Sequence, residues 1–460
     1  MAVKVPIIIG ALEPRGAMST LPSPADPGPF VAWLRGVAPY IHAFRGKTFV
    51  VAFPGELVIA GGLNALVHDI SLLTAMGLRI VVVHGARPQV EEQLRLRGAP
   101  AHFGPTGIRI TDSVALECLK EASGEIRLDL EAAFSQGLPN TPMAYSAMRV
   151  VSGNLVVARP LGVIGGIDYA QTGLVRKVDT EAIRFILNSG GIVSLSPLGY
   201  SPTGEALNLT MEDVAVATAV ALDAEKLIFI DHEAGIPAED GSLLREISEA
   251  DAESILARDY LAHELRFTLK HMLKACQNGV ARAHLVPFGI DGSLLLELFL
   301  HDGVGTMLVE ETLDLVREAT PEDVGGLLAL LRPLEEDGTL VRRDRALIER
   351  EIGNFTVVEH DGVIFGCAAL YPFANERIGE MACLAVAKNV QNQGDGERLL
   401  KRIEQRARAA GLDHLFVLTT RAQHWFLKRG FVQADVDALP GERKKLYNWQ
   451  RMSQIFIKTL

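Results

Sequence analysis

Gln391-Asn392-Gln393-Gly394-Asp395-Gly396 follows an alternating segment, Ile378 to Val386, and opens a basic amphipathic run. A strand, a glycine turn and a helix in that order decide how the last third of the chain folds. Glycine tolerates positive φ and lacks the Cβ that would keep a ligand away from the backbone. Unpaired N–H groups at the start of the following helix then face outward, where the helix dipole favours an anion. The hexapeptide reads as a pyrophosphate cradle. Taken alone it also suits an ordinary strand-to-helix turn, and its surroundings decide between the two.

Working outward, Thr320-Pro321-Glu322-Asp323 combines a cap, a proline in the first turn and two acids, so a domain is expected over residues 320–460. Phe355 to Leu370 alternates on both sides of His360-Asp361-Gly362, which predicts a hairpin. A helix over Glu397 to Ala410, a strand over His414 to Thr419, a short helix through Trp425 to Lys428 and a strand region from Leu446 to Ile457 follow. Upstream, Val309 to Ala319 is charged and helical in pattern, and is expected as a linker over 309–319. Before it, β-branched runs alternate with helical segments: Thr48 to Ala52, Leu78 to Val83, Val150 to Ala158, Gly191 to Leu195, Lys226 to Ile230 and Ala283 to Val286. Such apolar strands predict an α/β domain over residues 29–308, a three-layer unit with a mainly parallel sheet covered on both faces. The smaller second domain is mixed α/β. Phe30, Leu34, Val37, Ile41 and Phe44 place one apolar stripe on a helix ahead of the first strand, and burying it calls for another subunit. Residues 1–28 carry one lysine and continue into Pro-, Gly- and Ser-rich sequence without a cleavage pattern; they are expected as a flexible leader.

A chain of 460 residues, 48% hydrophobic, has room for two or three buried cores. Its net charge of -11 offers no basic surface to a nucleic-acid backbone. Cys118, Cys276, Cys367 and Cys383 are scattered, without CxxC pairs or histidines at ligand spacing, which argues against a disulfide framework or a metal site. No apolar run reaches the length of a membrane span. The expected protein is soluble and cytoplasmic.

Gly379 to Val386, the Gln391 to Gly396 loop, Leu415 to Arg421, His424-Trp425-Phe426, Arg429-Gly430-Phe431 and Tyr447 to Ser453 carry a resemblance. The C-terminal region resembles the GNAT acyltransferases, and the chain from about Phe30 onward resembles the bacterial N-acetylglutamate synthases. That resemblance implies acetyl transfer from acetyl-CoA to the α-amine of L-glutamate, the first step of arginine biosynthesis, without a metal. The amine must lose a proton before it attacks, so a base is required. The resemblance assigns it to Glu380, with Thr419 protonating the departing thiolate. It places coenzyme A along Cys383, Leu384, Ala385 and Val386 and on Gln391, Asn392, Gln393, Gly394, Asp395 and Gly396. A splayed strand near Cys383 and Leu384 would give backbone donors to an oxyanion. Glutamate carries two carboxylates, and paired guanidinium donors grip such groups; Arg343 and Arg451, with Ser453, match by resemblance. Cys383 has no histidine near it in sequence, and a buried cysteine is usually inert packing, which favours direct transfer over an acetyl-cysteine.

Over Phe30 to Leu308 the chain resembles the amino-acid kinases, particularly N-acetylglutamate kinase. Where those enzymes place a lysine before two glycines, this chain reads Ala52-Phe53-Pro54-Gly55-Glu56, and three consecutive glycines become Gly85-Ala86-Arg87. Both changes weaken phosphate binding. Arg109 and Asn208 persist, so an N-acetylglutamate kinase, or a bifunctional synthase and kinase, is the alternative reading. A third is a nonenzymatic arginine-sensing interaction protein. The resemblance also implies L-arginine as an effector held by Tyr40, His284, Glu297 and the Gly303-Val304-Gly305 loop, with Glu297 on its guanidinium and the loop on its carboxylate. It further implies a homo-oligomer, a hexamer in related synthases.

Overall fold

The computed structural model describes residues 27–105, 107–137, 148–300, 303–310, 314–360, 362–388, 391, 394–448 and 453–460. The chain divides into two compact units, Met1–Glu311 and Thr312–Leu460. The first is built on strands β1 (Thr48–Phe53), β2 (Arg79–His84), β3 (Val150–Val151), β4 (Ile192–Leu195), β5 (Lys226–Asp231), β6 (Glu246–Ser248), β7 (Arg282–Pro287) and β8 (Thr306–Val309). They lie in the order β6-β8-β7-β5-β1-β2-β4-β3. Every pairing is parallel except β7 with β8. Alternation along β1 sends Val50 and Ala52 into one core and Phe49, Val51 and Phe53 into the other. Apolar residues are therefore needed at consecutive positions, as a sheet covered on both faces demands. Met211–Leu222 and His263–Gln277 cover the first face, Leu63–Ala75 and Ser113–Gln136 the second. Asp112 and Thr210 cap two of these helices, accepting from the N–H groups of Ala115 and Asp213, which stabilises each by about 1 kcal/mol.

Two expectations need correction in this unit. Val150 to Ala158 is not one strand: after Val151 the chain leaves the main sheet, and Val156–Pro160 joins a separate sheet with Gly173–Val178, Leu198–Tyr200 and Ala206–Asn208. Ser152-Gly153-Asn154 lies between them and breaks the extended run. The leader falls outside the described residues except at its end, because the first helix already starts at Pro27 and runs to Phe44. Val37 and Phe44 of that helix are buried, whereas Phe30 and Trp33 are each 51% exposed. Only the second half of the apolar stripe is covered within this unit.

The second unit is one sheet of β9 (Asp314–Glu318), β10 (Phe355–His360), β11 (Val363–Phe373), β12 (Ile378–Val386), β13 (His414–Thr419), β14 (Val432–Ala434) and β15 (Gln454–Thr459), ordered β9-β10-β11-β12-β13-β15-β14. Only β12 with β13 is parallel. The helix Asp395–Ala409 buries Leu399, Leu400, Ile403 and Ala407 on one face of the sheet, and Val324–Glu336 buries Val324, Leu327 and Leu331 on the other. Each large aliphatic side chain so buried contributes about 1.5–3 kcal/mol.

The stretch expected as a helical linker instead supplies β9, whose Glu318 lies opposite Thr356 of β10. Arg317 anchors it, donating to Asp323 at 2.6 Å and to Glu359 at 2.6 Å, partners that a local pattern cannot reveal. The final region expected as strand from Leu446 begins its strand only at Gln454 and is preceded by a short helix, Gly441–Lys445.

Burial holds the His84 imidazole at about 4, well below its usual 6.5, with Nε2 3.0 Å from the Ser196 hydroxyl. A lowered histidine favours the folded state fully above pH 6.5. That advantage shrinks as pH falls toward 4, because the unfolded chain takes up the proton first. The first unit is expected to lose stability on acidification by roughly 1.4 kcal/mol per pH unit from this group. Denaturant midpoints measured from pH 7 to 4.5 should show a shallower slope in His84→Gln; equal slopes would rule the effect out.

Candidate active site

β12 pairs with β13 only at Ile378–His414, Gly379–Leu415 and Glu380–Phe416. The two strands then part, β12 continuing to Val386 and β13 to Thr419 while β13 stays paired with β15. A wedge opens beyond Glu380, with backbone groups of β12 along one side.

On its other edge β12 carries a bulge. Cys367 lies opposite Ala385 and Ala369 opposite Ala382, so Cys383 and Leu384 share one partner position. Cys383 takes φ 55°, a left-handed conformation costing a non-glycine residue about 1–2 kcal/mol. The bulge also flips the alternation: Met381 packs toward the Asp395–Ala409 helix, whereas Cys383 and Ala385 pack on the opposite face. Burial pushes the Cys383 thiol up to about 11. At neutral pH it is protonated and a poor nucleophile.

Glu380 is buried, and Arg443 from the helix Gly441–Lys445 grips it with two bonds, Nε to Oε2 at 2.6 Å and Nη2 to Oε1 at 3.0 Å. Tyr371 is the register partner of Glu380 on β11, and its hydroxyl donates to Glu351 at 3.0 Å. Burial raises this phenol, keeping it protonated. Arg343 is half-buried beside these groups. Burial works against its charge, but nearby Cys383, Tyr371 and Glu380 outweigh it and raise the guanidinium overall.

Thr419 ends β13. Its hydroxyl oxygen accepts from the N–H groups of Ala422 at 2.9 Å and Arg421 at 3.3 Å, leaving its own proton available for donation. Val386, at the far end of β12, accepts from the Gln391 side chain at 3.1 Å. Gly394 has φ 100° and precedes the first residue of the helix, Asp395, two positions before the expected start at Glu397. The Gly396 backbone is covered by Trp425, 3.1 Å from where a Cβ would stand. Ser453 accepts from the Tyr447 hydroxyl through its carbonyl at 2.7 Å. Asn392, Gln393 and Arg451 lie outside the described residues. Sequence reading missed Arg443, Tyr371 and Glu351. Arg443 sits in the basic run Gly441 to Lys445, where nothing local separates it from its neighbours.

The first unit holds two further groupings. At the carboxyl ends of β1, β2 and β5 is a cavity of 240 Å³ lined by Pro54, Gly85, Arg87, Arg109, Asn208 and Asp231 among others. Its described lining contains no lysine, and Glu56, Glu212, Asp231 and Glu264 outnumber its two arginines. Arg109 is already committed to Glu91 at 3.1 Å and stacks on Phe103. Ala52 is fully buried core. The cavity is electrostatically unsuited to a nucleoside triphosphate.

The second grouping unites the residues expected around an effector. Burial, aided by Lys226, lowers the His284 imidazole to about 4. Neutral His284 receives Lys226 Nζ at Nε2, 3.1 Å away, and donates from Nδ1 to Glu297 at 2.8 Å. Burial alone would raise Glu297, but His284 and the N–H groups of Gly305 and Val304 hold it at about 2. Tyr40 reaches the cluster through Phe44, whose ring lies under Lys226 Nζ. One expectation is corrected: the loop N–H groups at 304 and 305 do not stand open for a ligand carboxylate, because Glu297 Oε2 takes both, at 2.8 and 2.9 Å. The loop packs closely on β7; a Cβ on Gly305 would stand 2.0 Å from the Leu285 carbonyl oxygen.

Comparison with known proteins follows this division. A model of the amino acid kinase family matches residues 47–287, and a model of the acetyltransferase (GNAT) family matches 326–431. The chain is 60% identical over 452 residues to an amino-acid acetyltransferase of Ralstonia nicotianae, covering 96% of this chain and all of that one. It is 50% identical to one of Pseudomonas fluorescens, covering 94% and 99%. The crystal structure of N-acetylglutamate synthase from Neisseria gonorrhoeae, complexed with coenzyme A and L-arginine, superposes with a TM-score of 0.83 at 39% identity, covering 94% of this chain and 99% of that one.

Proposed function

Since this chain belongs to the amino-acid acetyltransferase family, in which an amino-acid-kinase fold precedes a GNAT fold, we propose that it acetylates the α-amine of L-glutamate from acetyl-CoA at the wedge between β12 and β13. The observation that carries this reading is the buried Glu380 at the point where the strands part, with Arg343 and Arg443 beside it. Coenzyme A lies on the Gln391 to Gly396 loop, with its thioester directed into the wedge. Glu380 takes a proton from the substrate ammonium, directly or through water. The neutral amine attacks the thioester carbon, whose oxygen gains charge against backbone N–H groups near the Cys383 bulge. Collapse breaks the carbon–sulfur bond; Thr419 protonates the thiolate and takes in turn the second proton that the attacking nitrogen gives up, so that a neutral amide and a free thiol result. Arg343, Arg451 and Ser453 hold the substrate carboxylates. The protonated Cys383 supports direct transfer. No helix among the described residues is long and apolar enough to cross a membrane, in keeping with a cytoplasmic enzyme. The half-exposed stripe of the first helix supports a homo-oligomer.

The acidic cavity of the first unit favours a regulatory role there over phosphoryl transfer. We infer that L-arginine binds near Tyr40, His284 and Glu297, with its guanidinium on the Glu297 carboxylate, and lowers turnover. Thiol release from acetyl-CoA, measured with each amino acid in turn, should be fastest with glutamate. Arginine at millimolar concentration should inhibit it several-fold, and Tyr40→Ala should blunt that response. Release with no preference for glutamate would remove the substrate assignment. An arginine titration flat on the intact protein would remove the regulatory one.

A further inference from the structure

Arg443 donates one bond to each oxygen of Glu380, the carboxylate that must receive the substrate's proton, and so holds it in a fixed orientation. An incoming ammonium needs one of those oxygens. Yet the planar fork that holds Glu380 is the geometry that an amino acid's own carboxylate requires. Arg443 is suited to exchange partners: its side chain is 24% exposed, it stands on a helix of five residues, and its remaining arm donates to Leu446 at 3.3 Å. Arg343 lies close enough to Glu380 to feel its charge, so a carboxylate leaving the fork does not leave cationic surroundings.

Resting on the reading of Glu380 as the base, we propose that Arg443 is an exchangeable clamp. Without acceptor substrate it holds Glu380. A substrate carboxylate displaces Glu380 from the fork, and the freed Glu380 oxygen then takes the ammonium proton. The base becomes available only when a carboxylate-bearing amine is in place. Arg443 thereby discriminates against plain amines as well as binding the substrate.

Two measurements on the full chain test this. In Arg443→Gln the KM for glutamate should rise about 10- to 100-fold while that for acetyl-CoA stays within about twofold. Arg443→Lys, which keeps the charge and loses the fork, should move in the same direction and guards against a folding defect. The second measurement is calorimetric binding of N-acetyl-L-glutamate, which has the carboxylates but no ammonium. Glu380→Gln should bind it about tenfold more tightly, because the competing carboxylate is gone, and adding Arg443→Gln should abolish that gain. A fall in kcat with unchanged KM in both Arg443 variants would overturn the exchange and leave Arg443 as a positioning residue for Glu380. So would product affinity in Glu380→Gln equal to or weaker than that of the unmodified protein. Undiminished turnover in Glu380→Gln would instead remove the base assignment beneath the proposal.

Discussion

Glu380→Gln is expected to lower kcat by about 10²- to 10⁴-fold, the range lost when a positioned general base is removed. The substitution keeps the shape and one acceptor oxygen, so Arg443 retains a partner and the strand keeps its register. What disappears is the ability to carry a proton away from the ammonium. The KM for acetyl-CoA should stay within about twofold, since the expected cofactor contacts lie further along β12 and in the loop before the Asp395–Ala409 helix. Steady-state thiol release with glutamate, with coenzyme A affinity measured in parallel, separates the two effects. Turnover within about threefold of the unmodified protein would require another base.

Gly394→Val is expected to raise the KM for acetyl-CoA by about 10-fold or more while leaving kcat within about threefold. Gly394 holds φ 100°, and among the described residues outside its chain neighbours no heavy atom lies within 4 Å of where its Cβ would stand. Space is therefore not the obstacle. An L-residue there is strained by about 1–2 kcal/mol, and a β-branched one by more, so the turn relaxes toward negative φ. That rotation swings the N–H groups at the helix start away from an anion, and each 1.4 kcal/mol of lost binding is a factor of ten. Because Gly394 is exposed and outside the sheet, unfolding midpoints should change little. Coenzyme A titration calorimetry showing unchanged affinity would dissociate this loop from cofactor binding.

Strands and helices that bury one local pattern were legible. Ile378 to Val386 and His414 to Thr419 appear as read, because alternation and β-branching are short-range properties that the sheet then uses. The reading failed where a strand is held by distant partners. Asp314–Glu318 looks helical in isolation and becomes an edge strand through Arg317 and its acidic neighbours. Val150 to Ala158 reads as continuous because a break of four residues, 152–155, is a weak signal until the two halves join different sheets.

By itself, then, the sequence determined the succession of the two α/β units and the glycine turn ahead of a basic helix, while the absence of lysine at Ala52 and the candidacy of Glu380 acquired meaning only through resemblance to known families. The first two are written in contiguous residues, where periodicity and φ preference act over a few positions. Only the tertiary structure decided that Arg443 clamps Glu380 across 63 positions, that the bulge at Cys383 turns its thiol to the opposite face from Met381, and that Glu297 claims the loop N–H groups at 304 and 305. The bulge depends on strand register, where a shift of one residue exchanges the two faces of a sheet, and the other two depend on how short helices dock beside strands and loops. That choice belongs to the packing of the whole unit, and no local stretch contains it.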